Sequence, residues 1–239
     1  MIPGMMFGGA NPQGPLFVGS SASDDNGSGT LVGTASILTG GFASAPKDGD
    51  LIIHCAATCR DTAITLNTES GTWAELVNLT VTDTRGTALC IAYRILSGSD
   101  TTASFTVDAI GSSYPSSCVT HVWRNIDQTT PFDVTTTTNS LTDTVLADPP
   151  SIIPTTSGAI ILAVGAGAHQ RGLNTYSQGA LSNKVTRNRN STQNDLCMLM
   201  GSREWTSGAY DPAAFAFNSL DDSSYSCIAA TMALRPANP

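Results

Sequence analysis

The sequence predicts an all-β protein, a single large two-layer antiparallel β-sandwich of jelly-roll type. Apolar residues recur at every second position in runs bounded by Gly, Ser, Asp and Pro, which is the pattern of half-buried strands. Thr and Ser are abundant, and 22 Gly and 12 Pro occur among the 239 residues, so strands and turns are favoured over helices. The strand pattern also occurs twice along the chain, which indicates an internal pseudo-repeat.

The pattern is clearest in Thr87–Asp127. Apolar residues alternate with smaller ones from Leu89 to Tyr93, and Ser97–Asp100 has the composition of a turn. Two more strand-like runs follow, one around Phe105 and one ending at Trp123. These three runs predict consecutive strands paired as an antiparallel meander.

Strands are also predicted on both sides of this stretch. Leu31–Leu38 is a short strand, and Leu51–Ala56 is a fully buried one because its apolar residues do not alternate. Trp73–Val81 alternates clearly. After the meander, the Thr-rich segment Thr135–Val145 suits an exposed edge strand.

The second half of the chain resembles the first. Ser157–Val164 parallels Asp48–Ile53, Leu196–Met200 parallels Leu89–Tyr93, Ser207-Gly208 parallels Ser97-Gly98, Phe215 and Phe217 parallel Phe105 and Val107, and Tyr225–Leu234 parallels Ser117–Trp123. The halves span about 31–148 and 155–236. The connection Pro149–Pro154 is too short for a free linker, so one sandwich domain over 31–239 is predicted, with each half contributing strands to both sheets.

Residues 1–30 differ from the rest because Gly and Pro interrupt them without helical or strand period. Such a segment is either a disordered terminus or an extended arm that docks on another surface. Its apolar content favours the docking arm. The candidate docking residues are Met5, Met6, Phe7, Leu16, Phe17 and Val18.

Charge and hydropathy exclude several functions. Lys and Arg number 11 against 19 Asp and Glu, a net charge of −8, and a nucleic-acid partner would normally require a basic surface. No apolar run reaches the roughly 18 residues that span a bilayer, so membrane insertion is not expected. No Lys or Arg precedes Lys47, so a signal peptide is not expected either and synthesis in the cytoplasm is predicted.

Cysteine and histidine usage predicts neither disulfides nor a metal. Most of the six cysteines lie in apolar strand-like runs, where a free thiol behaves as a small hydrophobic group. His54, Cys55 and Cys59 come nearest to a zinc-ligand cluster. On a strand, however, residues 54 and 55 point to opposite faces, which disfavours joint ligation. No metal or other cofactor is therefore expected.

Catalytic motifs are absent from the sequence, which contains no nucleophile elbow, HExxH, Walker loop or dinucleotide-binding fingerprint. A carboxylate pair for glycoside hydrolysis could still include Glu75 or Glu204, which lie near Trp73 and Trp205. The same aromatic residues could be packing anchors or stacking platforms for a sugar. The candidate stacking residues are Trp73, Trp123, Trp205, Tyr176 and Tyr210.

Four local motifs occur in a fixed order: GDLIIHCAA from Gly49, GTWAEL from Gly71, IAYRILSGSD from Ile91 and VTHVWRNIDQTTPFDV from Val119. In this order they resemble a widespread group of bacteriophage virion proteins, over roughly Leu31–Pro236. The segment from Trp123 to Asp127, followed by Pro131–Asp133, carries most of the resemblance. Asn125 departs from the pattern, because Gly is common at that position in the group.

The resemblance implies a non-enzymatic structural or adhesive component of a phage tail or capsid, and no catalytic residue carries over. It implies other virion proteins as partners, homo-oligomerisation on a symmetric particle and localisation in the virion. The sequence is thus compatible with three hypotheses. They are a virion structural protein docked through its N-terminal arm, a carbohydrate-binding module for a host surface glycan, and a glycan-degrading enzyme.

Overall fold

A computed structural model describes residues 14–25, 29–42, 44–67, 73–83, 86–107, 114–142, 144, 146–169, 176–190, 195–217 and 226–237. Within these ranges the regular structure consists of antiparallel strands, which confirms the all-β prediction. The strands are β1 (Leu16–Asp25), β2 (Thr30–Thr34), β3 (Leu51–Thr58), β4 (Thr65–Leu66), β5 (Ala74–Val81), β6 (Thr87–Ile95), β7 (Thr102–Thr106), β8 (Ser116–Arg124), β9 (Thr137–Leu141), β10 (Ile160–His169), β11 (Tyr176–Ser177), β12 (Ser182–Asn190), β13 (Asp195–Glu204), β14 (Ala216–Phe217) and β15 (Cys227–Leu234). Over the same residues no helix has the length and apolar character needed to cross a membrane.

Two five-stranded sheets form the body of the molecule. Sheet 1 has the strand order β1-β8-β3-β6-β5, and sheet 2 has the order β12-β13-β10-β15-β9. The main hydrophobic core lies between them. Sheet 1 contributes side chains such as Ile53 and Leu89, and sheet 2 contributes side chains such as Leu162, Met198 and Met232. These residues alternate along their strands, so the period of two places one set of side chains in the inter-sheet core.

Smaller sheets cover the outer faces of both large sheets. The three-stranded sheet β2-β7-β4 packs Leu31 and Phe105 against the outer face of sheet 1, at Cys90 and Cys118. On the outer face of sheet 2, the pair β11-β14 and its neighbours form a second buried cluster, which includes Phe215. Central strands are therefore buried on both faces. The continuous apolar run of β3, fully buried as predicted, follows from this layering.

The predicted meander is wrong in its pairing although its three strands exist. Strands β6 and β8 both flank β3 in sheet 1, whereas β7 lies in the covering sheet between β2 and β4. Phe105 on β7 is fully buried against the outer face of sheet 1. The chain thus leaves sheet 1 after β6, covers its outer face and returns as β8, because that face is apolar and must also be buried.

Each half of the chain builds mainly its own sheet. Sheet 1 consists of β1 and strands from the first half, and sheet 2 consists of strands from the second half together with β9. The expectation that each half contributes strands to both sheets is therefore wrong, with β9 as the exception. In a jelly roll, by contrast, both halves would exchange strands between the sheets. The strand orders correspond nonetheless: β3 lies between β6 and β8, as β10 lies between β13 and β15. The Thr-rich strand β9 is an exposed edge strand, as predicted.

The predicted N-terminal arm over residues 1–30 is wrong for the part that the structure describes. Leu16–Asp25 is β1, an edge strand of sheet 1 paired with β8. Phe17 packs against the main core and Val18 is fully buried. Leu16, Phe17 and Val18 therefore belong to the sandwich, since β8 offers them both a pairing edge and an apolar surface. Met5, Met6 and Phe7 lie outside the described residues.

All six cysteines are buried and none forms a disulfide, which confirms the prediction of buried thiols. Burial raises the pKa of Cys118 to about 12 and that of Cys227 to about 11. The pKa of Cys90, which is hydrogen bonded to Glu75, is also raised, chiefly by burial. These thiols remain protonated at neutral pH and act as packing groups.

Candidate functional site

The five aromatic residues predicted as sugar platforms fall into different environments. Trp123 is 2% exposed and Tyr176 is 1% exposed, so neither can present a ring face to solvent. The prediction is therefore wrong for both residues as stacking platforms. Trp73 is half-buried, with its ring centroid 4.7 Å from that of His54. It packs against the outer face of sheet 1.

Trp205 and Tyr210 lie on one surface at the outer face of sheet 2. Both are half-buried and pack against the small cluster that contains Ile152 and Ile161. The Trp205 Nε1 donates to the Gly208 carbonyl oxygen at 2.8 Å. The Arg203 guanidinium carbon lies 4.7 Å from the centre of the Tyr210 ring. These two rings are thus already engaged within the chain, although each keeps some exposure.

Two grooves run along the open sides of the sandwich. The first, the β5–β9 groove, has a volume of about 710 Å³ and is lined by Leu76, Leu79, Phe132, Val134 and several Thr residues. The second, the β1–β12 groove, has a volume of about 510 Å³ and is lined by residues that include Phe17, Trp123, Asn183, Ser202, Arg203 and Glu204. Both volumes are within the roughly 300–1,000 Å³ typical of ligand sites.

The floor of the β1–β12 groove is aromatic. The ring centroids of Phe17 and Trp123 are 5.2 Å apart, and those of Phe17 and His121 are 5.0 Å apart. Phe17 is half-buried, whereas His121 is fully buried. These three side chains meet because β1 pairs with β8, which places Phe17 opposite Trp123.

One buried polar atom in this aromatic floor, the Trp123 Nε1, has no hydrogen-bond partner among the described residues. His121 packs against Phe17 and is not among the described residues that line the groove. Burial lowers the pKa of His121 to about 3, and a hydrogen bond with the Asn183 backbone only partly opposes that shift. Buried polar groups normally have partners, so the Trp123 Nε1 requires an explanation.

The opposite wall of the groove is polar. Leu196, Met198 and Met200 of β13 face the inter-sheet core, so the period of two directs Ser202 and Glu204 toward the same side. Glu204 is exposed. A β-bulge interrupts β12 between Ser182 and Val185, a device that re-aims side chains at sheet edges.

Asn183 occupies this bulge with a positive φ of 50°, which Asn tolerates better than most residues. Its Nδ2 donates to the Ser202 Oγ at 2.9 Å. This bond ties the bulge to β13 and fixes the polar wall of the groove.

The two candidate catalytic carboxylates do not form a pair. Glu75 lies on β5, where it accepts a hydrogen bond from Asn78 at 2.9 Å. Glu204 lines the groove beside β1, at the other end of the five-strand order of sheet 1. Four strand spacings correspond to about 19 Å, whereas paired glycosidase carboxyl groups are about 5–9.5 Å apart. Glu75 and Glu204 are therefore too far apart to act together as such a pair.

The His54 and Cys55 side chains point to opposite faces, as the strand period predicts. The His54 Nδ1 lies 2.7 Å from the Thr120 Oγ1 on the outer face of β3. The Cys55 Sγ donates to the Met200 sulfur at 3.7 Å in the inter-sheet core. Within the described ranges, no three His, Cys, Asp or Glu side chains form a group that could hold a metal ion.

The most recognisable motif residues close the ends of the sandwich. Arg124, directly after Trp123, makes two hydrogen bonds to Asp50, from Nε to Oδ1 and from Nη2 to Oδ2, each 2.8 Å long. Asp50 is fully buried and also accepts from the Lys47 main chain at 3.0 Å. The Asp of the motif GDLI and the Arg of the motif WRNID thus form one buried ion pair.

The following motif residues shape the connection from β8 to sheet 2. Asn125 has a φ of 60°, the left-handed conformation that favours Gly, so Asn fits the position where the resembled group commonly has Gly. Asp127 accepts from the Thr129 and Thr130 main chains at 2.8 and 2.9 Å. Asp133 receives hydrogen bonds from Thr155, Thr156 and Arg235.

Comparison with protein-family models, with curated proteins and with solved structures finds no match. The class of protein is therefore described from its fold and its groove alone. The chain is a layered antiparallel β-sandwich with a polar and aromatic groove at one open side.

Sequence reasoning selected Trp123 and Glu204 separately but missed that they share a groove. It also missed Phe17, Asn183 and Ser202 as site residues. The dipeptide Ser182-Asn183 inside an otherwise alternating strand was the available signal, since Asn is common at left-handed positions in bulges.

Proposed function

We propose that the chain is a non-enzymatic structural protein of a bacteriophage particle, at the tail tip or fibre or as a capsid decoration. The observation that carries this proposal is the structural role of the resembled motifs. Asp50, Arg124, Asn125 and Asp133 form the ion pairs and the left-handed turn that close the sandwich. A motif made of such residues identifies a fold that a group of proteins can share, which supports the resemblance to virion proteins.

The surface also suits a particle component. Only 13% of the residues are charged, about half the usual share. Ile37 is 78% exposed and Phe42 is 59% exposed, both between β2 and β3. These side chains provide apolar contact for neighbouring virion proteins or for further copies of the chain. Docking through Met5, Met6 and Phe7 remains a prediction.

Immunogold labelling of intact particles tests this function. The particles are purified from the lysate of the cells that make the chain, and the antibody is raised against the folded chain. We expect label at a fixed position, where head label indicates decoration and tail label indicates a tip or fibre role. Unlabelled particles, with the chain detected in the soluble lysate, would overturn the proposal.

Carbohydrate binding is a second candidate function, and the β1–β12 groove favours it. An aromatic floor with Phe17 and Trp123 faces a polar wall with Glu204 and Ser202. This combination is typical of sites that stack a sugar ring and bind its hydroxyl groups. A sugar-binding particle protein would contact the host surface, so the two functions are compatible.

A further inference from the structure

An unsatisfied polar atom lies at the open groove. Trp123 lines the groove, and its Nε1 lacks a hydrogen-bond partner among the described residues. Leaving a buried donor unpaired costs free energy. A ligand or water hydroxyl that reaches the floor would remove part of this cost.

The chemistry of the walls restricts the class of ligand. Glu204 is an acceptor for hydroxyl donors and would repel an anionic ligand. Arg203, the only cation among the described residues of the lining, packs on the ring of Tyr210. The remaining lining is mixed, with hydroxyl and amide groups beside two aromatic rings, which suits neither a fully apolar ligand nor a phosphate. A neutral ring with several hydroxyl groups matches donors, acceptors and apolar faces together.

The geometry points to the β1–β12 groove as the binding site for one neutral pyranose-sized unit of a saccharide. Phe17 supplies the stacking face, Glu204 and Ser202 bind hydroxyl groups, and Trp123 Nε1 donates from the floor. This inference rests on the second candidate function, carbohydrate binding, and is independent of the particle proposal. The proposed site does not include the buried Tyr176. It includes Phe17 and Asn183, which lies in the β-bulge of β12.

Asn183 acts as a positioning residue. Its amide holds Ser202, and its left-handed backbone creates the bulge that opens this side of the groove. Asn183→Gly keeps the backbone conformation at little steric cost and removes only the amide. Its effect on binding therefore reports the orientation of Ser202 and not the loss of the bulge.

The test uses the purified full chain and a panel of immobilised neutral oligosaccharides built from hexoses and N-acetylhexosamines. The oligosaccharide that binds best is then titrated calorimetrically against the wild type and single variants. We expect Glu204→Gln to weaken binding about 10-fold or more, since hydrogen bonds to charged groups are the strong ones. We expect Phe17→Leu to weaken it by a similar factor and Asn183→Gly by less.

Two controls separate this groove from other surfaces. Glu75→Gln changes an exposed carboxylate at the opposite edge of sheet 1, and binding should stay within about twofold of the wild type. Trp205→Ala removes the competing aromatic surface on the outer face of sheet 2. A thermal melt of each variant shows that the fold is retained.

The outcomes are distinct. Binding that Trp205→Ala abolishes and Glu204→Gln leaves within twofold would overturn the groove assignment while carbohydrate binding stands. No binding to any oligosaccharide at millimolar concentration would overturn both the groove assignment and carbohydrate binding. Neither result would affect the particle proposal, which the immunogold experiment tests separately.

Discussion

Replacing Asp50 with Asn should destabilise the protein substantially, because it breaks the buried pair that joins two motifs. The Asp50 side chain is 1% exposed and the Arg124 side chain is 21% exposed. Removing one member of a buried ion pair costs about 3–5 kcal/mol. Arg124 can recover some hydration through its exposed part, so we expect a loss at or below the lower end of that range, about 2–3 kcal/mol. For a chain of this length that corresponds to a fall in Tm of about 4–12 °C.

The assay is urea unfolding followed by far-ultraviolet circular dichroism, with Arg124→Met and the double variant completing a mutant cycle. Asp48→Asn is the matched control, because Asp48 is exposed and accepts from the Gly98 main chain at 2.8 Å. The control should change the free energy of unfolding by less than about 1 kcal/mol. An Asp50→Asn effect within about 0.5 kcal/mol of the wild type, or strict additivity in the cycle, would refute the structural role of the motif.

Three further predictions concern other parts of the fold. First, burial by itself would raise the pKa of Asp24, but hydrogen bonds from Arg187 and Ser117 outweigh it and lower the pKa. Because the folded pKa lies below the unfolded one, the stabilisation is present above about pH 4 and is lost as pH falls through the folded value. The stability difference between the wild type and Asp24→Asn, measured by urea titration, should therefore shrink below pH 4, and a constant difference would contradict the ion-pair assignment. Second, Asn125→Val should cost about 1–2 kcal/mol, since a β-branched residue strains the left-handed backbone, while Asn125→Gly should change stability by less than about 1 kcal/mol; equal melting temperatures for the two variants would argue against the turn. Third, the six buried thiols should react with Ellman's reagent only after unfolding in urea, and rapid reaction of the native protein would show that the cysteine environments are wrong.

Much of the strand content could be predicted because it depends on local pattern. The burial of β3, the edge position of β9 and the opposite orientations of His54 and Cys55 follow from the period of two and from composition.

Strand pairing could not be predicted, because periodicity gives the face of a side chain but not the neighbour of its strand. The position of β7 in a covering sheet depends on the outer face of sheet 1 also being apolar. Strand β1 could not be recognised in the sequence, because its register with β8 shifts between Phe17 and Gly19 and this shift breaks the period of two. The β1–β12 groove depends on strand pairing and on the packing of the two sheets. Its residues Phe17, Trp123, Asn183 and Glu204 are distant in sequence and are brought together only by these two features.

The proposed particle function is tested most directly by quantifying the chain in density-gradient-purified particles by mass spectrometry. A structural component should sediment with the particles and keep a constant copy number relative to the major capsid subunit across the gradient peak. That number should match a symmetric arrangement on the head or tail. Recovery of the chain only in the soluble fractions, or a ratio that varies across the peak, would contradict a structural role in the particle.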